Sequence, residues 1–359
     1  MHPTLFHLGP IAIQSYGFMM MMGFLVSIQL AARRARRCGA DEEMVINVGL
    51  LSLITGVVGA RLFYVIHYPD HFNSFFSYFA LWAGGLEFYG GFLAAVAATL
   101  IYLRLKKKSI RWYLDILAPA IMLGLAFGRI GCFLNGCCWG KPTSTPVAVR
   151  FPYGSPAFAQ QWLTHRIEVP GEFILSSEGS NSLISRETMA MSDQDLSRTM
   201  DQSNPLALIG GCQRESPQYL TLVKAHLEAY QTNLNGLHEL IKTLDLKTVP
   251  VHPTQLYESL AALAISIVLG RYFWHRRRHG MVIVMLFIIY PVCRFLIELV
   301  REDNPHDTLG FTVSQGISLL VVPIVILFWL YLRRLPEMSP RAAAELESRA
   351  RQSPKASGS

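Results

Sequence analysis

The sequence predicts an all-α polytopic membrane protein of about seven transmembrane helices, with its N-terminus outside, its C-terminus inside and one large outer insertion. Three observations carry that reading. Hydrophobic residues make up 51% of the 359 and charged residues only 16%, against roughly 25% charged in a soluble domain. The apolar residues are gathered into runs of about 17 to 23, long enough to cross a bilayer. Clusters of Lys and Arg fall on alternate sides of successive runs, as they do where positive charge is kept inside.

The elements follow in order. The first span, 12–32, opens on Tyr16-Gly17 and is followed by Arg33, Arg34, Arg36 and Arg37. A secretory signal carries its charge before the apolar core, so this span is expected to be retained. The second, 44–66, holds Arg61 near its outer end, and the loop 67–87 contains no Lys or Arg. The third, 88–104, runs into Arg104, Lys106, Lys107, Lys108 and Arg111; the fourth, 113–130, ends in Gly128-Arg129-Ile130-Gly131. After the insertion come 255–270, followed by Arg271 and Arg276–Arg278, then 281–299, and last 314–332, closed by Arg333 and Arg334. The predicted divisions are 1–140 (four spans), 141–250 (insertion), 251–335 (three spans) and 336–359, a disordered cytoplasmic tail.

The insertion is polar. Its first part, 141–218, has no sustained period and reads as loop. Its second part has one: Leu220, Val223, Leu227, Tyr230, Leu234, Leu237, Ile241 and Leu244 are spaced 3-4-3-4-3-4-3. That predicts one amphipathic helix near 219–246, lying on the rim of the bundle or on the bilayer surface, or else serving as a docking surface.

The net charge of +7 sits in clusters beside the spans. Attraction to anionic lipid headgroups accounts for it, and no nucleic acid is implied. Of the six cysteines, Cys132, Cys137, Cys138 and Cys212 fall outside or at the outer edge, where a disulfide is allowed; small packing residues are the equal alternative. Cys-x4-Cys-Cys matches no standard zinc pattern, and no metal is expected.

Polar groups at membrane depth cost several kcal/mol unless they face a cavity or a partner. Arg129, between glycines that allow close backbone approach and with Asn135 beyond, offers a donor fork suited to phosphate; snorkelling to the interface is the bland alternative. Arg294 and Glu298 share a face one turn apart, as an ion pair or as the lining of a site, and Arg301 continues that face outward. His252, Gln255, Tyr257 and Glu258 cluster at the start of the fifth span, with Pro253 where proline is tolerated. Arg61 and Tyr16 complete the set. No Gly-x-Ser-x-Gly elbow, His-Glu-x-x-His or P-loop occurs. The collection suits an anionic headgroup delivered by the bilayer.

At these residues the chain resembles the prolipoprotein diacylglyceryl transferases of bacterial inner membranes. The matching segments are Gly9-Pro10 to Tyr16-Gly17, Gly59-Ala60-Arg61, Gly84-Gly85 to Gly90-Gly91 and Gly128 to Gly131. They continue with Asn135-Gly136, Trp139-Gly140, His252-Pro253 to Glu258, Arg294 to Glu298, Arg301-Glu302 and Gln315. The resemblance implies that a diacylglyceryl group moves from phosphatidylglycerol to the lipobox cysteine of a preprolipoprotein, with no metal or organic cofactor. It implies that Arg129 and Arg294 hold the phosphate and that Glu298 orients Arg294. Tyr16, Asn135, Gly140 and Glu258 match family positions that shape the site.

Three features depart from the family pattern. Tyr89 stands where many members have a histidine, and Cys132 where many have asparagine. The insertion 141–250 matches no family motif. Histidine at that position is a natural acceptor of the thiol proton; tyrosine, with an ordinary pKa near 10 against about 6.5 for histidine, takes that role only if arginines depress it, and otherwise Tyr89 serves as a hydrogen-bonding group. The rival readings are a transporter for an anionic solute, against which stands the lack of an inverted repeat or paired broken helices, and a protein of this family that has lost catalysis and binds lipid or a partner.

Overall fold

The computed structural model describes residues 4–8, 11–69, 78, 85–177, 180–189, 217–303 and 310–352. Strands β1 (Thr4–Leu8) and β2 (Ile11–Gln14) form an antiparallel hairpin. Then come α1 (Ser15–Arg37), α2 (Glu42–His67), α3 (Phe88–Leu105) and α4 (Ile110–Asn135). The insertion contributes α5 (Pro156–Leu163), the antiparallel pair β3 (Ile174–Ser177) and β4 (Ser180–Leu183), α6 (Arg186–Met189), α7 (Pro217–Ala229) and α8 (Leu234–Thr243). The chain closes with α9 (Thr254–His275), α10 (Met281–Glu298), α11 (Val313–Leu332) and α12 (Pro340–Gln352).

Seven of the described helices, α1 to α4 and α9 to α11, are long and apolar enough to cross a membrane, and each coincides with a predicted span. Their outward faces fit lipid. On α2, Leu50, Ile54, Val58, Leu62 and Ile66 recur every four residues and are all exposed. A soluble protein rarely shows so long an apolar stripe.

The chain divides into two compact units. One comprises 21–127, 260–295 and 313–359. Its α2 and α3 meet backbone to backbone: a Cβ added at Gly59 would lie 2.7 Å from the carbonyl oxygen of Gly90, and one at Gly91 equally close to that of Gly56. Small residues permit this approach where apolar surface alone gives no drive to associate. At the basic end, the fully buried Asp115 accepts the N–H groups of Gly280, Val282 and Ile283 at 2.7, 2.9 and 3.1 Å. It thus satisfies donors that the start of α10 leaves open, and Arg276 pairs with it at 3.0 Å.

The tail corrects the sequence expectation over 340–352. Instead of fraying, it forms α12 and packs. Ala342 is buried in the same core as Tyr113, Leu269 and Phe273. Glu345 accepts from Tyr113 Oη at 2.8 Å and from Lys108 Nζ at 2.9 Å, Ser339 bonds Ser109, and Arg349 donates to the Ala40 carbonyl at 3.0 Å.

The other unit comprises 1–20, 128–259 and 296–312. It contains the insertion, which has its own core of Phe158, Phe173, Leu175, Ile184, Val223, Leu227, Leu234 and Leu237. This corrects two expectations. The segment before 218 is partly regular, and the predicted single helix is two. Gln231 adopts a left-handed φ of 53°, and Asn233 caps α8 by accepting the Gly236 N–H at 2.8 Å. Val223, Leu227, Leu234 and Leu237 of the apolar seam are buried in this core, with Ile241 packed against it, while Tyr230 and Leu244 are exposed.

Candidate active site

Arg129 lies near the C-terminal end of α4 and is mostly buried. Its Nε stands 2.6 Å from Glu258 Oε2, on the second turn of α9. Glu258 also faces Arg301, whose Nη1 is 3.7 Å away. Arg301 in turn is gripped in bidentate fashion by Asp303, at 2.9 and 2.7 Å, and lies 3.8 Å from Glu298. Glu298 accepts the Thr312 hydroxyl at 2.9 Å. Two guanidiniums and three carboxylates thus form one buried chain in which each charge faces an opposite one. Burial works against the charge of Arg301, but the Asp303 carboxylate outweighs it and holds its pKa above the ordinary value.

Backbone frames this network. Residues 139–141 run extended between two other segments. The Gly140 N–H donates to the His252 carbonyl at 3.0 Å, the His252 N–H to Lys141 at 3.0 Å, and the Lys141 N–H to Val300 at 2.8 Å. Gly140 has no room for a side chain: a Cβ there would lie 2.7 Å from Thr254 Cγ2 and 2.9 Å from the His252 oxygen. The start of α9 is tied down as well. Thr254 Oγ1 donates to the Cys138 carbonyl at 2.7 Å, and Gln255 Nε2 to that of Cys137 at 2.6 Å. Gln255 Oε1 is buried and has no hydrogen-bond partner among the described residues. His252 Nδ1 and Tyr257 Oη are 3.2 Å apart.

Helix α4 ends at Asn135. Gly136 follows with φ of 79°, and its N–H returns to the Cys132 carbonyl at 2.9 Å, the usual glycine stop of a helix. Gly131 lets α4 approach α1: a Cβ there would meet Tyr16 Cδ2 at 3.2 Å.

The remaining predicted residues belong to the other unit. Arg61 is buried, and donates to the carbonyls of Tyr78 at 3.0 Å and Gly85 at 3.1 Å. It holds the chain that leads into α3. Tyr89, on the first turn of α3, is half exposed, its ring edge-on to Phe88. Arg294 donates to Ser314 Oγ at 3.3 Å.

A family model described as prolipoprotein diacylglyceryl transferase matches residues 3–331. The chain belongs to the prolipoprotein diacylglyceryl transferase family. It is 29% identical over 357 residues to the phosphatidylglycerol–prolipoprotein diacylglyceryl transferase of Rhodopirellula baltica, covering 87% of this chain and 70% of the relative. With the enzyme of the same name from Photorhabdus laumondii it shares 27% over 339 residues, 92% of each. With that of Vibrio cholerae it shares 38% over 160 residues, 43% of this chain and 58% of the relative.

Sequence reasoning missed two parts of this diacylglyceryl transferase family member's site. Asp303 stands two residues from Arg301, and nothing in the sequence pattern marks it as the partner that Arg301 takes. The second part is a cluster of three thiols. The sulfurs of Cys132, Cys137 and Cys138 all lie within 4.8 Å of one another. These three, with Cys38 and Cys293, are free thiols; Cys212 lies outside the described residues. The Cys138 thiol is drawn well below its ordinary pKa by hydrogen bonds from Cys132 and Cys137, with burial opposing and Arg301 and Arg129 assisting.

Proposed function

We propose that this multi-pass membrane protein transfers the diacylglyceryl group of phosphatidylglycerol to the lipobox cysteine of preprolipoproteins in the bacterial inner membrane. The observation that carries the reading is the buried Arg129–Glu258–Arg301 chain at the outer ends of apolar helices, in a chain that belongs to this family. Glu258 meets Arg129 through Nε, which leaves the outer edge of that guanidinium to meet an anion, and the bilayer supplies anions with acyl tails attached.

The chemistry assigns each group a task. The substrate thiol is the nucleophile, so the protein needs no nucleophile of its own. Its sulfur attacks the glyceryl carbon that bears the phosphate ester. The C–S bond forms, the C–O bond breaks, and glycerol phosphate leaves. Negative charge collects on the departing phosphate, and fixed cations aimed at it lower the barrier most. Arg129 and Arg294 take that role. Glu258 fixes one edge of the Arg129 fork and turns the rest toward the ester. Glu298 and Asp303 fix Arg301 in the same way. Gln255 Oε1, buried and unoccupied by a described partner, accepts from the headgroup hydroxyls. Tyr16, Asn135, His252 and Tyr257 shape the pocket, Gly140 gives the frame its tight fit, and Arg61 places Tyr89. The positive clusters support an outer position for the site, the side on which lipoprotein precursors emerge.

The test is direct. Purified protein is mixed with phosphatidylglycerol vesicles and a lipobox peptide with a free cysteine, and the peptide mass is followed. A diacylglyceryl increment that Arg129→Ala abolishes is expected. No increment, beside an active relative as control, overturns the reading.

A further inference from the structure

The thiol triangle has a geometry that the family reaction does not require. Cys132 is on the last turns of α4, three residues beyond Arg129. Cys137 and Cys138 come after the helix has turned back at Gly136, and Cys138 itself takes a left-handed φ of 62°. That fold-back brings two consecutive sulfurs round to the one on the helix. Each of the three sulfurs interacts with both others. Cys132 is buried, while Cys137 and Cys138 are partly open. The carbonyls of Cys137 and Cys138 are pinned by Gln255 and Thr254, so the cluster is held by the same turns of α9 that carry Glu258.

Magnitudes decide what such a triangle fits. Three thiolates around a zinc-class ion at ~2.3 Å are ~3.8–4.0 Å apart. The present limit of 4.8 Å is within one ångström of that. A disulfide needs sulfurs at ~2.05 Å and leaves the third thiol over. Among the described residues no His, Asp or Glu joins the group, so an ion here has three protein ligands and a fourth position for an exogenous one, the pattern of catalytic rather than structural zinc.

We propose that Cys132, Cys137 and Cys138 form a binding site for a thiophilic d10 cation of the zinc class, whose fourth ligand is the incoming lipobox thiol. This second half rests on the transferase reading. A thiol that coordinates such an ion loses its proton outright. The bound thiolate keeps its sulfur lone pair and attacks the glyceryl carbon; the C–S bond forms, the C–O bond breaks, and the proton ends on the leaving phosphate. The triad plus one ion carries a net charge of −1, and Arg129 and Arg301 lie near enough to act on Cys138. The site thereby supplies a thiolate in a chain that has Tyr89 in place of the family's histidine.

The experiment uses the full chain in detergent, reduced and freed of metal. Cobalt(II) is titrated in, and thiolate-to-metal charge-transfer absorption is recorded, with zinc competing. One ion per chain is expected. Cys138→Ser and Cys137→Ser should weaken binding by more than the ~10–100-fold that loss of a mere supporting group costs, while Cys38→Ser and Cys293→Ser bind as before. Absence of charge-transfer bands in the folded protein overturns the site, as does a Cys132–Cys137 or Cys132–Cys138 disulfide found by peptide mapping of protein isolated without reductant. Activity separates the two readings. Transfer that chelation abolishes and zinc restores supports the whole proposal. Transfer indifferent to chelation in protein shown free of metal overturns the catalytic half. Metal binding without any transfer leaves the site standing and overturns the transferase reading instead.

Discussion

Arg129 Nε stands 2.6 Å from Glu258 Oε2, a join between the fourth and fifth spans made by two charges that neither helix could bury alone. Removing one partner of a buried pair costs ~3–5 kcal/mol, because the other is left uncompensated. Glu258→Ala should therefore lower both thermal stability and transfer. Glu258→Gln keeps the shape and an acceptor oxygen but not the charge, so it should lower the melting temperature less than Ala does, and lose transfer by ~10²-fold as Arg129 loses its anchor. Equal effects of the two substitutions on melting would refute the assignment.

Arg129 itself should not tolerate lysine. An ammonium supplies a point charge but not a planar fork that can hold Glu258 and a phosphate together. Arg129→Lys is expected to retain at most about 1% of turnover, with folding intact by melting in detergent. Turnover near wild type would show that only charge matters at this position.

The tail helix offers a separate test. Glu345 meets Tyr113 and Lys108 at 2.8 and 2.9 Å, two hydrogen bonds of which one is to a charged donor. Each such bond contributes roughly 1–3 kcal/mol. Glu345→Ala should lower the melting temperature measurably, and truncation before Ser339 should lower it further, with phosphate-site substitutions unaffected. A truncated chain that melts like the full one would mean that α12 packs without contributing.

How much of this was legible follows from where the partners lie. The seven spans were, because an apolar run of membrane length has few other uses. Arg129, Glu258 and Arg301 stood out singly, since a charge at membrane depth is costly wherever its partner is. Their pairing was not legible, for nothing local links positions 129 and 258. The tail read as frayed for the same reason: Glu345's partners are 232 and 237 residues away. In the insertion Val223, Leu227, Leu234 and Leu237 of the 3-4 seam do share one core, but Gln231-Thr232-Asn233 interrupts the helix between them. The cysteine spacing fits no zinc pattern because a helix stop at Gly136, not a ligand loop, brings the sulfurs together.

His279 carries a pH dependence of known sign. It is stacked on Trp112 with ring centroids 5.6 Å apart. Burial, with Arg276 and Arg111 nearby, pushes its pKa down from 6.5 to about 4. In the folded state it is neutral over that interval, whereas the unfolded chain takes up a proton. Stability from this group is thus fully present above about pH 6.5 and is lost as pH falls toward about 4. The melting temperature of the wild type should drop from pH 7.5 to pH 5 by more than that of His279→Phe, which keeps a ring against Trp112 but cannot titrate. Parallel profiles would remove His279 as the cause.

The insertion's independence from lipid can be tested at one residue. Leu237 is fully buried among Phe158, Phe173, Leu175 and Leu227, all within the insertion. If the seam packs there, Leu237→Ala opens a cavity costing ~2–5 kcal/mol, and the cost falls on this small core, which has little stability to spare. Limited proteolysis should then cut the variant faster within 141–250, in detergent and in vesicles alike, while the spans stay protected. Protection restored by vesicles would place the seam on the bilayer instead, because only then would lipid replace the lost contacts.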